Sequence, residues 1–150
     1  MTQVFEDLDP EGLYPPLPAP DELTRFFWEG VVAHRLLILR CNDCGFYIHW
    51  PRPACPNCLS LSLAPAEVSG RATLVTWTFP NQPFDPYYRS HIPYALAVVE
   101  LVEQAGLKMV TDLVDYDKEA LRIDMPVHVV FREVAPGVTL PLFAPAPSGA

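Results

Sequence analysis

Cys41, Cys44, Cys55 and Cys58 are the chain's four cysteines, and all lie in one stretch, CNDCGFYIHWPRPACPNC, as two Cys-x-x-Cys pairs with ten residues between them. Each pair sets two thiolates on one tight knuckle, and two facing knuckles complete a tetrahedral shell of soft ligands. Zinc is the leading expectation. A rubredoxin-like iron centre uses the same ligands and stays open at this point. Four thiolates leave no position for water or substrate, so the metal is expected to fold the region rather than to catalyse. His49 lies between the knuckles, but the shell is already full, and it is read as a packing or surface residue. One dication and four thiolates leave a local charge of −2, which Arg40 and Arg52 are placed to offset.

Other chemistry is hard to assemble. Every cysteine is committed to metal, and His34, His49, His91 and His128 fall on unrelated segments. No Gly-x-Gly-x-x-Gly, Gly-Lys-Ser/Thr or His-Glu-x-x-His run is present. No catalytic residues are assigned. The segment PNQPFDPYYRSHIP, 80–93, is long for a connection between strands, and long loops tend to be used. Its Phe84, Tyr87, Tyr88 and Arg89 are candidate contacts for a partner or a flat ligand at the mouth of a barrel. Phe27 and Trp28, from an aromatic segment upstream, join them.

The elements that must hold these residues can be read from periodicity. PDELTRFFWEGVVAHRL predicts a helix capped by Asp21, with Leu23, Phe26, Phe27, Gly30, Val31 and His34 on one face and Trp28 off it. Strand-like LLILRC then leads into the first knuckle. After the cysteines the period becomes two. RATLVTWTF places Val75, Trp77 and Phe79 on a buried face, IPYALAVVELV and LKMVTDLVDY form a hairpin turning at Gly106, and PVHVVFREV turns at Pro136–Gly137 into a last strand. His128 falls on the outward face of its strand. Five strands with a short helical insert, DKEALRI, after the third fit an OB-fold. The expected fold is mainly β: a helix and rubredoxin-like zinc ribbon over 21–62, then a five-stranded OB barrel over 63–144. Residues 1–20, with five prolines and four carboxylates, make an extended arm, and 145–150 a flexible tail.

Composition narrows the partners. Ten basic against eighteen acidic residues give a formal charge of −8, which opposes any ligand held mainly through phosphates. Nucleic acid is disfavoured, although ribbons and OB barrels both bind single strands elsewhere. No apolar run approaches the ~18 residues that cross a bilayer. The acidic start, MTQVFEDLDPEG, lacks the features of a secretory signal. The expectation is a cytoplasmic protein off the membrane.

Taken together, FFWEG in the helix, LLILRCNDCGFYIHWPRPACPNCLS in the ribbon, LVTWTF opening the barrel and DMPVHVVFREV closing it resemble the acyl-CoA-associated zinc-ribbon/OB-fold family, long catalogued as domain of unknown function thirty-five. The resemblance covers residues 20 to 143 and puts the family's metal ligands on Cys41, Cys44, Cys55 and Cys58. It implies structural zinc and a non-catalytic accessory subunit that pairs with a thiolase-superfamily protein in a hetero-oligomer, a heterotetramer among the arrangements. The partner would be a thiolase, a synthase or, foremost, a retro-aldolase acting on acyl-CoA in steroid side-chain degradation. This chain would stabilise the partner and help shape its acyl-CoA site, with Arg89 or Arg71 as cations for any CoA contact. A single-stranded nucleic-acid binder and a rubredoxin-like electron carrier are the alternatives.

Overall fold

The computed structural model describes residues 12–147. The first eleven residues of the acidic arm and the last three of the tail lie outside the described residues. Helix α1 spans Arg25–Val32, shorter than its periodicity suggests. Asp21 does not cap it directly: Oδ1 accepts hydrogen bonds from the backbone N–H groups of Leu23 and Thr24 and from the Thr24 hydroxyl, tying 21–24 into a turn ahead of the helix. At the other end His34 adopts a left-handed conformation, φ 57. The N–H of His34 then reaches Val31 O and that of Arg35 reaches Gly30 O, the paired bonds of a Schellman ending. Glycine is the usual occupant there. Here the His34 ring leaves the predicted core face and stacks flat on Phe131, centroids 5.3 Å apart.

Phe27, Gly30 and Val31 form the buried stripe of α1. Gly30 is required by close approach, since a Cβ there would lie 2.8 Å from Leu37 Cγ and 2.9 Å from Arg35 O. That approach brings α1 onto strand β1, Leu37–Cys41. Strand β1 is the centre of a three-stranded antiparallel sheet with β2, Tyr47–Ile48, and β3, Leu63–Glu67. Strand β3 was hidden in the sequence by Pro65, which an edge strand tolerates. Its residues lie past the 62/63 division expected from the sequence, yet it pairs with β1 along five residues.

The remaining strands close a barrel. They are β4 (Arg71–Thr78), β5 (Ala95–Leu101), β6 (Lys108–Leu113), β7 (Pro126–Ala135) and β8 (Val138–Pro145), in the order β4-β5-β6-β8-β7. Antiparallel pairing of β4 with β7 seals it, and β6 meets β8 in parallel at Leu113 and Phe143. Ranked within the barrel this is 1-2-3-5-4, the five-stranded Greek-key barrel of the OB-fold. The insert after the third strand is a short 3-10 turn, Lys118–Ala120.

One expectation about the first barrel strand needs correction. Ala72 and Leu74, not Val75, are buried in its first half. The register slips between Leu74 and Thr76, so the inward face passes from even to odd positions and Trp77 comes opposite buried Ala97. His128 also departs from its outward reading: it is half-buried, with Nδ1 out of solvent and no hydrogen-bond partner among the described residues.

Phe27 and Val31 from α1, Ile38 from β1, and Leu74, Val99, Leu101, Val127 and Phe143 from the barrel belong to one continuous core. Burying a side chain such as Phe27, 1% exposed, stabilises the fold by roughly 1.5–3 kcal/mol. The helix therefore joins the ribbon's sheet to the barrel.

Candidate metal centre and docking surface

The two knuckles are geometric copies. In the first, Gly45 N–H bonds to Cys41 O and Cys41 N–H to Phe46 O; in the second, Leu59 N–H bonds to Cys55 O and Cys55 N–H to Ser60 O. Both need a left-handed residue after the second cysteine, supplied by Gly45 at φ 76 and Leu59 at φ 65. The copies face each other. Ser60 Oγ donates to Asp43 Oδ2, and Asn42 Nδ2 donates to Ser62 Oγ, tying one loop to the other.

The facing loops gather four sulfurs within 4.8 Å of one another, with Cys41–Cys58 and Cys44–Cys55 each at 3.6 Å. A tetrahedron of sulfurs at ~2.3 Å from zinc has edges of about 3.8 Å. The donor set and the spacing fit zinc, and they are too long for disulfide bonds. Cys41 and Cys55 are buried with Leu39 and Ile48 in a small apolar cluster, while Cys44 and Cys58 face outward. Asn57, inside the second knuckle, donates its side-chain amide to Cys44 Sγ at 3.5 Å and its N–H to Cys55 Sγ at 3.4 Å. The Asn57 amide is the chief reason the Cys44 thiol is pulled down to about 6. Such donors orient the ligands and favour the thiolate that the metal needs. The centre is a closed, four-sulfur zinc site of the structural kind.

Arg40 lies beside the first knuckle, its Nε bonded to Gly45 O and its guanidinium 5.0 Å over the Tyr47 ring. Arg52 lines a recess of about 190 Å³ with His49, Pro56 and Gln104. His49 is a packing residue, as expected: its ring sits against Phe27 and Trp50, and burial lowers its pKa to about 4. Among the described residues its Nε2 has no hydrogen-bond partner.

The candidate contact residues separate. Phe27 lies in the chain's own core, so this ring supports a surface rather than forming one. Trp28 is half-buried with its ring edge-on to Phe27 at 5.0 Å, and Trp50, its ring 5.7 Å from that of Phe27, is 52% exposed. In the 80–93 segment, Phe84 is 93% exposed and Arg89 is exposed. Tyr87 stacks on His91 and Tyr88 on Tyr94, centroids 4.0 and 4.6 Å apart. This stacking rests on a 3-10 turn, Pro86–Arg89, capped by Asp85, whose side chain accepts from Tyr87 N–H. Tyr94 stands two residues ahead of Leu96, which pairs with Asp112 on the outward face of β6. Sequence reasoning missed Asn57, Asp112 and Gln104. Only Asn57 carried a signal, its place between the cysteines of a metal knuckle.

Among the described residues no helix is long and apolar enough to cross a membrane. Two family models match the chain: the rubredoxin-like zinc ribbon domain of ChsH2 over residues 28–64, and the C-terminal OB-fold domain of ChsH2 over residues 66–132. The chain is 35% identical over 130 residues to a 3-oxo-4,17-pregnadiene-20-carboxyl-CoA hydratase alpha subunit of Mycobacterium tuberculosis, covering 87% of this chain but 40% of that protein. It is 30% identical over 118 residues to a DUF35 domain-containing scaffold protein of Pyrococcus furiosus, covering 77% of this chain and 82% of that protein. A solved structure described as the Ltp2-ChsH2(DUF35) aldolase superposes with a TM-score of 0.76 at 34% identity, covering 85% of this chain and 98% of that one. With helix, ribbon and barrel arranged as in that structure, and with all four cysteine ligands in place, this chain belongs to the zinc-ribbon/OB-fold family of domain of unknown function thirty-five, DUF35.

Proposed function

We propose that this chain is the zinc-binding, non-catalytic subunit of an acyl-CoA enzyme whose larger partner is a thiolase-superfamily retro-aldolase acting in steroid side-chain degradation. The observation that carries the reading is the likeness, at 34% identity over nearly the whole of the matched chain, to the DUF35 component of an aldolase whose description joins it to Ltp2. The name of the mycobacterial relative supports a steroid acyl-CoA as the substrate class. In this reading the zinc ribbon is a rigid arm, the barrel its base, and the partner's surface meets exposed aromatics such as Trp50 and Phe84. The chain stabilises the partner and closes one side of its thioester channel.

Co-expression with a thiolase-superfamily aldolase tests this. Co-elution, and cleavage of a 17-hydroxy steroid side-chain CoA thioester by the mixture at rates at least tenfold above either protein alone, is the expected outcome. Separate elution with full activity in the larger protein alone overturns it. Because the mycobacterial relative is a hydratase subunit, hydration of the corresponding unsaturated thioester is followed alongside. Hydration without cleavage would assign the chain to a hydratase instead.

A further inference from the structure

Glu67 pairs with Arg35 at 2.8 Å and Asp115 with Arg132 at 2.6 Å, while other carboxylates accept from hydroxyl or backbone N–H groups, as Asp43 does from Ser60 and Glu103 from Ser69. Asp112 does neither. It lies on the outward face of β6, half-buried, and its carboxylate has no hydrogen bond or ion pair among the described residues; the Thr111 hydroxyl bonds to its main-chain oxygen instead. A carboxylate partly drawn out of water without a counter-charge is costly, and a cation brought to it from outside the chain relieves that cost. Burial holds its pKa up at about 6. Tyr94 lies two residues ahead of Leu96, the β5 partner of Asp112, and Tyr88 stacks on Tyr94 at 4.6 Å and 24°; burial and then the Asp112 charge raise both phenols, Tyr88 to about 12. Tyr88 is fixed from behind by its N–H bond to Asp85 O.

A single carboxylate beside tyrosine rings is a poor metal site and a good seat for a guanidinium, which is planar, weakly hydrated, able to stack on a ring and to bond a carboxylate with two N–H groups. Lysine would gain less, since its ammonium cannot stack. The net charge of −8 draws a basic surface toward this chain. Phe84, 93% exposed in the loop that carries Tyr88, offers an apolar anchor.

We propose that Asp112, Tyr88 and Tyr94 form a receiving pocket for an arginine side chain of the partner subunit. This rests on the reading of the chain as one subunit of a hetero-oligomer. The test compares wild type with Asp112→Asn and Tyr88→Phe. Binding of the co-expressed aldolase partner, measured by calorimetry, should weaken at least tenfold in Asp112→Asn and stay within twofold in Tyr88→Phe, which keeps the ring. The free Asp112→Asn chain should melt no lower than wild type at pH 7.5, because an uncompensated charge has been removed. Unchanged partner affinity, or a parallel loss of stability in the free chain, would overturn the pocket while leaving the subunit reading intact. A second arm needs no partner. With ethylguanidinium chloride added to the isolated chain, the carboxyl 13C signal of Asp112 should titrate at lower pH than in sodium chloride of equal ionic strength. If wild type binds no partner but this shift appears, the subunit reading falls and the pocket stands; equal titration in both salts overturns the pocket.

Discussion

The side-chain amide of Gln104 clasps the backbone of Tyr47: Tyr47 N–H donates to Gln104 Oε1 at 2.8 Å, and Gln104 Nε2 donates to Tyr47 O at 3.0 Å. Gln104 sits in the turn between β5 and β6, and Tyr47 opens β2 of the ribbon. One side chain thus acts as a strand partner between barrel and ribbon, at a point the helix does not reach. Replacing Gln104 with Ala should cost about 1–3 kcal/mol of stability, because two partly buried backbone groups lose their partners. Urea unfolding measures the loss, and zinc content of the folded variant should stay near one per chain.

The matched knuckles give a paired prediction. Leu59 holds the left-handed conformation that Gly45 holds in the other loop, and it is 78% exposed, so little packing repays the strain. Leu59→Gly should gain about 0.5–1 kcal/mol in the free chain. Gly45→Leu should lose about 1–2 kcal/mol, aggravated by a Cβ placed 3.2 Å from Arg40 Nη2. Thermal melts of the two variants, moving in opposite directions, check both.

Zinc loss should unfold the ribbon, since the metal's binding energy is folding energy. Cys41→Ser is expected to drop zinc from about one per chain to near zero by elemental analysis. The Tm should fall with it, because β1 carries both Cys41 and core residue Ile38. Asn57→Asp keeps the ligands but turns an amide donor toward Cys44 into a carboxylate facing thiolates. A 10–100-fold loss in zinc affinity is expected, read by competition with a chromophoric chelator.

The pH response should contain two opposed slopes. His49, lowered from 6.5 to about 4 by burial, is protonated more readily in the unfolded chain, so its contribution is full above pH 6.5 and lost on acidification toward pH 4. Asp112, raised by burial from 3.8 to about 6, is protonated more readily when folded, so stability falls as pH rises from 4 through 6. The groups facing Asp112, Tyr88 and Tyr94, stay neutral throughout, and those packed on His49, Phe27 and Trp50, do not titrate. Each effect is on the order of 2 kcal/mol, and in the wild type they offset. Between pH 7 and 5, Asp112→Asn should lose stability on acidification relative to wild type, and His49→Phe should gain it. The zinc site's own response is common to all and cancels in the comparison, which urea midpoints at each pH provide.

The metal ligands are legible in the sequence because their chemistry depends on spacing within eighteen residues, and the later strands because their alternation survives in β5 and β6. What escaped was non-local or irregular. The alternation of Val75 with its neighbours puts it on the wrong face because a bulge inserts one residue into β4, a feature that depends on its pairing with β5. Strand β3 was masked by Pro65. Phe27 was placed correctly on an apolar stripe, yet whether that stripe meets the barrel or another protein depends on the close approach at Gly30, which no periodicity encodes. Asp112 looks like any polar residue of an alternating strand, and only the pairing of β5 with β6 and the stacking of Tyr88 on Tyr94 set it apart.

If sulfur closes the metal on every side, the reaction falls to another polypeptide. X-ray absorption at the zinc edge, on the chain within its purified complex before and after a steroid acyl-CoA thioester is added, tests that closure most directly. Four sulfur neighbours at ~2.3 Å, unaltered by substrate, are predicted; an oxygen or nitrogen in the shell, or a shell that changes when the thioester arrives, would contradict it.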